Sequence, residues 1–222
     1  MVERPYSEQQ LLDRAQMLAG LTLSQVANDL GLEVPQSLRR NKGWIGNLLE
    51  LALGATAGSK PQQDFPELGI ELKSIPINAA GKPLETTYVC ITPLTGIGGL
   101  TWAQSNIFNK LKKVLWIPIL SDKSLAIGDR QIGSPFIWQP NEREQCLMQQ
   151  DWEEIMELIA LGEINTITAK IGQVLQLRPK GANAKALTKG VGRDGETIMT
   201  LPRGFYLKIP FTHQILIDQF KL

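Results

Sequence analysis

The chain of 222 residues contains one histidine and two cysteines. A single imidazole, His213, cannot build a multi-histidine metal centre, and it offers no obvious Ser-His or Cys-His catalytic pair. Cys90 and Cys146 could pair, but two thiols in a chain without a secretory signature point to a reducing compartment. That signature is missing from the opening MVERPYSEQQLL, which holds acids and no apolar stretch suited to an export signal. No run of eighteen apolar residues occurs, which excludes an ordinary membrane-spanning helix. Neither charge is in excess: 23 Lys and Arg stand against 22 Asp and Glu, a formal net charge of +1. Overall charge therefore names no partner. The expectation is a cytoplasmic chain with no membrane association, whose chemistry rests on carboxylates, lysines and a hard cation.

Hydrophobic residues make up 43% of the chain, enough for a real core in one large domain or in two lobes around a cleft. Charge is uneven locally. From Glu142 to Glu163 seven acids face one base, Arg143; from Lys170 to Lys208 eight bases face Asp194 and Glu196. A phosphate-bearing partner would choose the second segment. Two ordinary solvated faces are the alternative reading.

Spacing and capping predict the elements. Ser7 caps a first helix with Gln10 as its capping-box partner, and Thr22 or Ser24 opens a second that stops near Gly31. Asn41 is the expected cap of a third helix, buried through Ile45, Leu48, Leu49, Ala52 and Leu53 and ended by Gly54. Strands are expected in ETTYVCITPL, VLWIPIL, SPFIWQ and GFYLKI. Residues 102–113 and 142–161 read as helices, the second with Trp152, Ile155, Met156 and Ile159 as its core stripe. INTITAKI and VLQLRP suggest a hairpin across Gly172. ANAKALTKG reads as a short helix ended by Gly190, and the tail from Thr212 reads as helical. The fold class is mixed α/β without regular βαβ alternation. Trp44, Trp102, Trp116, Trp138 and Trp152 are expected in the core. The Gly-x-Gly-Gly of TGIGGL has no P-loop lysine and reads as a hinge.

The segment DFPELGIELKSI carries the sharpest chemical signal. Side chains alternate along a strand, so Glu71 and Lys73 point one way and Ile70, Leu72 and Ser74 the other. The loop ATAGSKPQQD delivers Asp64 to the same place. Two carboxylates and the Leu72 backbone carbonyl suit Mg²⁺, which takes few protein ligands. Lys73 can hold or deprotonate an attacking water, or offset charge on a phosphate. Glu50, from the preceding helix, is a candidate ligand for a second metal or an orienting group. A phosphodiester is the substrate such a group helps most. By itself the pattern also fits a Glu–Lys pair on a half-exposed strand.

The segments KGWIGNLLELALGATAGSKPQQDFPELGIELKSIPI, GKPLETTYVCITPLTG, KLKKVLWIPI, GSPFIWQPNE, DWEEIMELIALGEI, LQLRPKGANAKALT and LPRGFYLK, in this order and spacing, resemble the MutH family of mismatch-repair endonucleases from end to end. The resemblance implies a restriction-endonuclease-like core, in which a mixed sheet flanked by helices presents Asp, Glu and Lys at one end. It implies one domain over 1–222, with approximate lobes 1–105 for catalysis and 106–222 for DNA recognition around a DNA cleft. It makes Asp64, Glu71 and Lys73 the catalytic triad and Glu50 a further acidic residue of the active site. Mg²⁺ is the implied cofactor, with Mn²⁺ as a substitute and Ca²⁺ binding without efficient cleavage. The implied reaction is a nick in the unmethylated strand, 5′ to the G of hemimethylated GATC, switched on by MutL after MutS finds a mismatch. A monomer is expected.

The same resemblance assigns a reading head. Arg178, Pro179, Lys180 and Gly181 enter the DNA groove, where arginine suits guanine O6 and N7 and the backbone approaches an adenine edge. Tyr206 matches the family's tyrosine near adenine N6. Lys42 and Lys110 match DNA-contacting lysines, and Tyr88 an aromatic contact. Without the resemblance, Tyr206 reads equally as a strand aromatic and Lys42 as a surface lysine. Two rivals stand beside this reading: an autonomous GATC restriction endonuclease, and a non-cleaving DNA-binding protein that senses methylation.

Overall fold

In a computed structural model of the chain, which describes residues 2–58, 60–122, 124–181, 183 and 185–221, the first two helices begin where a side chain can satisfy open N–H groups. Ser7 accepts the Gln10 N–H at 3.1 Å, and α1 runs Glu8–Leu18. The Gln10 side chain reaches back to the Tyr6 N–H. Thr22 and Gln25 form a full capping box on α2, Leu23–Asp29. The third helix, α3 (Trp44–Leu53), departs from expectation. Its cap is Gly43 at φ 87°, with no side-chain hydrogen bond. Asn41 contributes its carbonyl to the Trp44 N–H at 3.1 Å. Its side-chain amide donates instead to the Ser37 carbonyl. The left-handed glycine turns the chain into the helix, leaving Asn41 outside it. Gly54 (φ 78°) closes the helix where a Cβ would lie 2.4 Å from the Glu3 carbonyl oxygen.

By contact the chain divides into two compact units, each built from two chain segments. One comprises the chain through Glu85 with Lys112–Gln139; the other comprises Thr86–Leu111 and the chain from Pro140.

In the first unit β1 (Glu71–Ile77) pairs in parallel with β3 (Val114–Leu120), which also pairs antiparallel with β4 (Gln131–Ile132) and β5 (Phe136–Trp138). This is the expected mixed sheet. Leu72, Leu115, Ile117 and Ile119 lie in one core with Leu11, Leu23, Val26, Leu48, Leu49 and Leu53 of the three helices. Trp116 points the other way by strand alternation and meets Trp138, ring centroids 6.3 Å apart. Both indoles are buried, whereas Trp44 is half-buried against the helix-side core.

In the second unit β2 (Thr87–Ile91), β9 (Arg203–Leu207) and β6 (Leu175–Pro179) form an antiparallel sheet with β9 in the middle. A separate hairpin joins β7 (Thr188–Val191) to β8 (Thr197–Thr200). The helices are α4 (Asn106–Leu111), α5 (Glu142–Ala160) and α6 (Ile209–Phe220). The expected stripe Trp152, Ile155, Met156 and Ile159 is buried, and Trp102 meets Trp152 at a tilt of 57°, ring centroids 5.8 Å apart.

Three segments differ from the expected elements. Residues 102–113 are not one helix: a 3₁₀ turn at Trp102–Gln104 precedes α4, and Lys112 and Lys113 lie beyond its end. INTITAKI is not a strand, because β6 takes β9 as its partner and the approach to β6 is held by a side chain, described below. In ANAKALTKG, Ala182 and Ala184 lie outside the described residues, and Thr188–Val191 is strand, not helix. In the ATAGSKPQQD loop, Ser59 also lies outside them.

Candidate active site and nucleic-acid interface

A tight turn prepares the start of β1. Phe65 and Ile70 exchange backbone hydrogen bonds at 2.9 and 3.2 Å, with Gly69 at φ 66° between them. The chain folds back so that Asp64 Oδ2 accepts the Leu72 N–H at 2.8 Å. The Asp64 carbonyl in turn accepts the Thr56 N–H at 3.1 Å, just beyond Gly54. Backbone hydrogen bonds thus fix Asp64 between the end of α3 and the first residues of β1.

Alternation does the rest. Leu72 turns its side chain into the helix-side core, and Glu71 and Lys73 project from the opposite face, in register with Val114 and Trp116. The Lys73 Nζ donates to Glu71 Oε1 at 2.5 Å, with side-chain exposures of 14% and 2%. A carboxylate this buried needs a close cation, because desolvation otherwise disfavours its charge. The structure therefore brings Asp64, Glu71, Leu72 and Lys73 to one strand end. Glu50 lies half-buried on α3, and its carbonyl accepts the Gly54 and Ala55 N–H groups. Among the described residues no cluster of three or more His, Cys, Asp or Glu forms a ready cation cage.

Of the residues assigned to reading, Arg178, Pro179 and Tyr206 lie on one sheet of the second unit with Tyr88, and Lys180 and Gly181 directly follow β6. Tyr88 and Tyr206 are register partners whose rings meet edge to face at 5.3 Å. The Lys180 Nζ stands 4.1 Å from the centre of the Tyr88 ring, and the Arg178 Cζ 5.3 Å from that of Tyr206. Such contacts hold long cationic side chains against flat surfaces. Arg178, Pro179 and Lys180 are exposed at the end of β6. Gly181 is tightly surrounded: a Cβ there would lie 3.0 Å from the Asn183 carbonyl oxygen. Lys110 sits half-exposed in the last turn of α4, and Lys42 is exposed beside Gly43 in the first unit.

Other residues that shape this surface escape sequence reasoning. Asp151 is 2% exposed, and its carboxylate accepts the N–H groups of Gln173, Val174 and Leu175 at 2.7, 2.6 and 2.7 Å. This anchors the entry to β6. A signal was available, since Asp151 falls on the buried stripe with Met148, Trp152 and Ile155 at helical spacing. Gly204 faces Arg178 in register, and a Cβ on it would lie 3.0 Å from the Tyr88 ring. Arg203, opposite Pro179, has a buried Nε with no hydrogen-bond partner among the described residues, and burial pushes its pKa below the usual arginine value. Thr86 Oγ1 accepts a hydrogen bond from Arg178 Nη1 at 3.1 Å.

The family model described as "DNA mismatch repair enzyme MutH" matches residues 53–151. Relatives named DNA mismatch repair protein MutH match nearly the whole chain. The one from Serratia proteamaculans is 57% identical over 216 residues, covering 97% of this chain and 95% of its own. The one from Vibrio cholerae is 57% identical over 216 residues, covering 97% and 98%. The one from Shewanella sp. strain ANA-3 is 57% identical over 212 residues, covering 96% and 95%.

Proposed function

The chain belongs to the MutH family of DNA mismatch repair proteins, and we propose that it is a metal-dependent DNA endonuclease that nicks the unmethylated strand 5′ to the G of hemimethylated GATC. The observation that carries the chemistry is the Asp64–Glu71–Lys73 group at one strand end, with Asp64 held by the Leu72 N–H and Glu71 by the Lys73 ammonium.

The donor set fits a hard cation. Asp64 and Glu71 offer carboxylate oxygens and Leu72 a carbonyl, and Mg²⁺ is content with one or two carboxylates while keeping its waters. We assign those three residues to Mg²⁺, and Glu50 to a second metal or to orienting the nucleophile. Mn²⁺ substitutes, and Ca²⁺ binds without efficient cleavage. When bound, the cation supplies positive charge to the attacking and leaving oxygens of the phosphodiester. Lys73 stands at the same place, where it holds or deprotonates the attacking water, or offsets phosphate charge as an ammonium.

Recognition falls to the second unit. Arg178 reads guanine with Lys180 beside it in the groove, the backbone at Pro179 and Gly181 approaches adenine, and Tyr206 lies against adenine N6. Tyr88 makes an aromatic contact with the DNA, and Lys42 and Lys110 take phosphates, which position the duplex without reading it. The protein acts as a cytoplasmic monomer, and MutL, recruited through MutS, switches it on. No helix among the described residues is long and apolar enough to cross a membrane.

The test is a nicking assay in Mg²⁺ paired with GATC binding in Ca²⁺. Glu71→Ala abolishes nicking and leaves most of the binding. Full nicking by Glu71→Ala removes the site assignment.

A further inference from the structure

Arg178 is an exposed arginine at the end of an edge strand, where its long side chain would normally sample many rotamers. Here two contacts hold it. Its guanidinium carbon lies 5.3 Å from the centre of the Tyr206 ring on the middle strand. Its Nη1 donates at 3.1 Å to the hydroxyl of Thr86, which immediately precedes the other edge strand, β2. The side chain therefore reaches across the middle strand of the sheet. Gly204, its register partner, presents no side chain in the way.

We propose that Thr86 is a positioning residue for base recognition, fixing the rotation of the Arg178 guanidinium before DNA arrives. The inference rests on reading Arg178 as a base-contacting residue. A guanidinium has five N–H donors in one plane. Thr86 takes one, and the Tyr206 ring supports the plane from one side. Further donors stay available for two acceptors on a base edge. Bidentate reading depends on that orientation, and fixing it beforehand reduces the ordering lost on binding. A phosphate contact tolerates a wider range of orientations, so loss of the Thr86 hydroxyl weakens GATC more than it weakens other DNA.

The experiment compares binding in Ca²⁺ to a GATC duplex and to a duplex with one base pair of the site changed. Thr86→Val keeps the shape and β-branching and removes the hydroxyl; Thr86→Ser keeps the hydroxyl. Thr86→Val lowers the affinity ratio between the two duplexes about tenfold, roughly 1.4 kcal/mol, and Thr86→Ser keeps it close to that of the parent. In an Arg178→Ala background, which has already lost the ratio, Thr86→Val has no further effect. A merely structural threonine would weaken both duplexes alike and leave the ratio unmoved, which overturns the inference. So does a loss of GATC affinity from Thr86→Val that is as large in the Arg178→Ala background as in the parent. If Arg178→Ala itself keeps the ratio, the reading of Arg178 fails and the role of Thr86 falls with it; if only Thr86→Val keeps it, the reading of Arg178 stands and this inference alone falls.

Discussion

Asp64 Oδ2 accepts the backbone N–H of Leu72 at 2.8 Å, so the strand that carries Glu71 and Lys73 also fixes the carboxylate that precedes them. The contact separates two roles that a simple truncation would confuse. Asparagine at position 64 can keep the acceptor oxygen while losing the negative charge. Asp64→Asn is expected to unfold at nearly the parent's denaturant midpoint and to nick at least about 10²-fold more slowly, roughly 2.7 kcal/mol of barrier. Parent-like nicking by Asp64→Asn would mean that the charge is dispensable and the contact structural.

The Glu71–Lys73 pair makes a prediction about stability as well as rate. Lys73→Met leaves a carboxylate that is 2% exposed without its ammonium. Removing one member of such a pair typically costs about 3 kcal/mol or more. Without divalent cation, Lys73→Met is expected to be clearly less stable than the parent, and adding Glu71→Gln restores much of the loss. Both variants nick poorly. The measurement is denaturant unfolding in EDTA, and a double variant no more stable than Lys73→Met contradicts the pairing.

Asp151 is expected to matter to the second unit without touching DNA. Its carboxylate satisfies three consecutive N–H groups at the entry to β6. Asp151→Ala leaves those groups without their acceptor, for about 3 kcal/mol or more in total. Asp151→Asn recovers only part, because its NH₂ would face one of the N–H donors. Denaturant midpoints for the two variants check the order parent, Asn, Ala. An Asp151→Ala midpoint equal to that of the parent removes the anchoring role.

Tyr206 is expected to discriminate N6-methyladenine. An apolar slot gains or loses only about 1–3 kcal/mol from a methyl group. A polar contact to the N6 amine does better, because the methyl blocks it and leaves a buried partner unsatisfied. Tyr206→Ser should narrow the rate ratio between unmethylated and fully methylated GATC, chiefly by making methylated DNA a better substrate. If both rates fall together with their ratio preserved, Tyr206 supports Tyr88 and Arg178 and does not sense the methyl.

What the sequence made legible follows from where local rules act alone. The period-two pattern at Glu71, Leu72 and Lys73 is set by strand geometry, so the shared face of Glu71 and Lys73 could be read directly. Ser7 and Thr22 cap their helices through contacts three residues away, and these too are readable. Asn41 misleads because Gly43, with its positive φ, lets the helix start later without a side-chain cap. The INTITAKI strand misleads because the partner of β6 is β9, far along the chain, and Asp151 from α5 holds the approach to β6. Propensity saw Thr and Ile, and tertiary contacts decided. Among the site residues, Thr86 was invisible for the same reason: 92 positions separate it from Arg178, and no spacing rule joins them.

The proposed reaction is a strand-selective, metal-dependent nick. The most direct measurement is cleavage of a hemimethylated GATC duplex with each strand labelled separately, in Mg²⁺ and in Ca²⁺, with and without MutL. One product is expected, from the unmethylated strand 5′ to the G, formed in Mg²⁺, much faster with MutL, and nearly absent in Ca²⁺. Equal cutting of both strands, or no cutting in Mg²⁺ with MutL present while GATC binding persists, would contradict it.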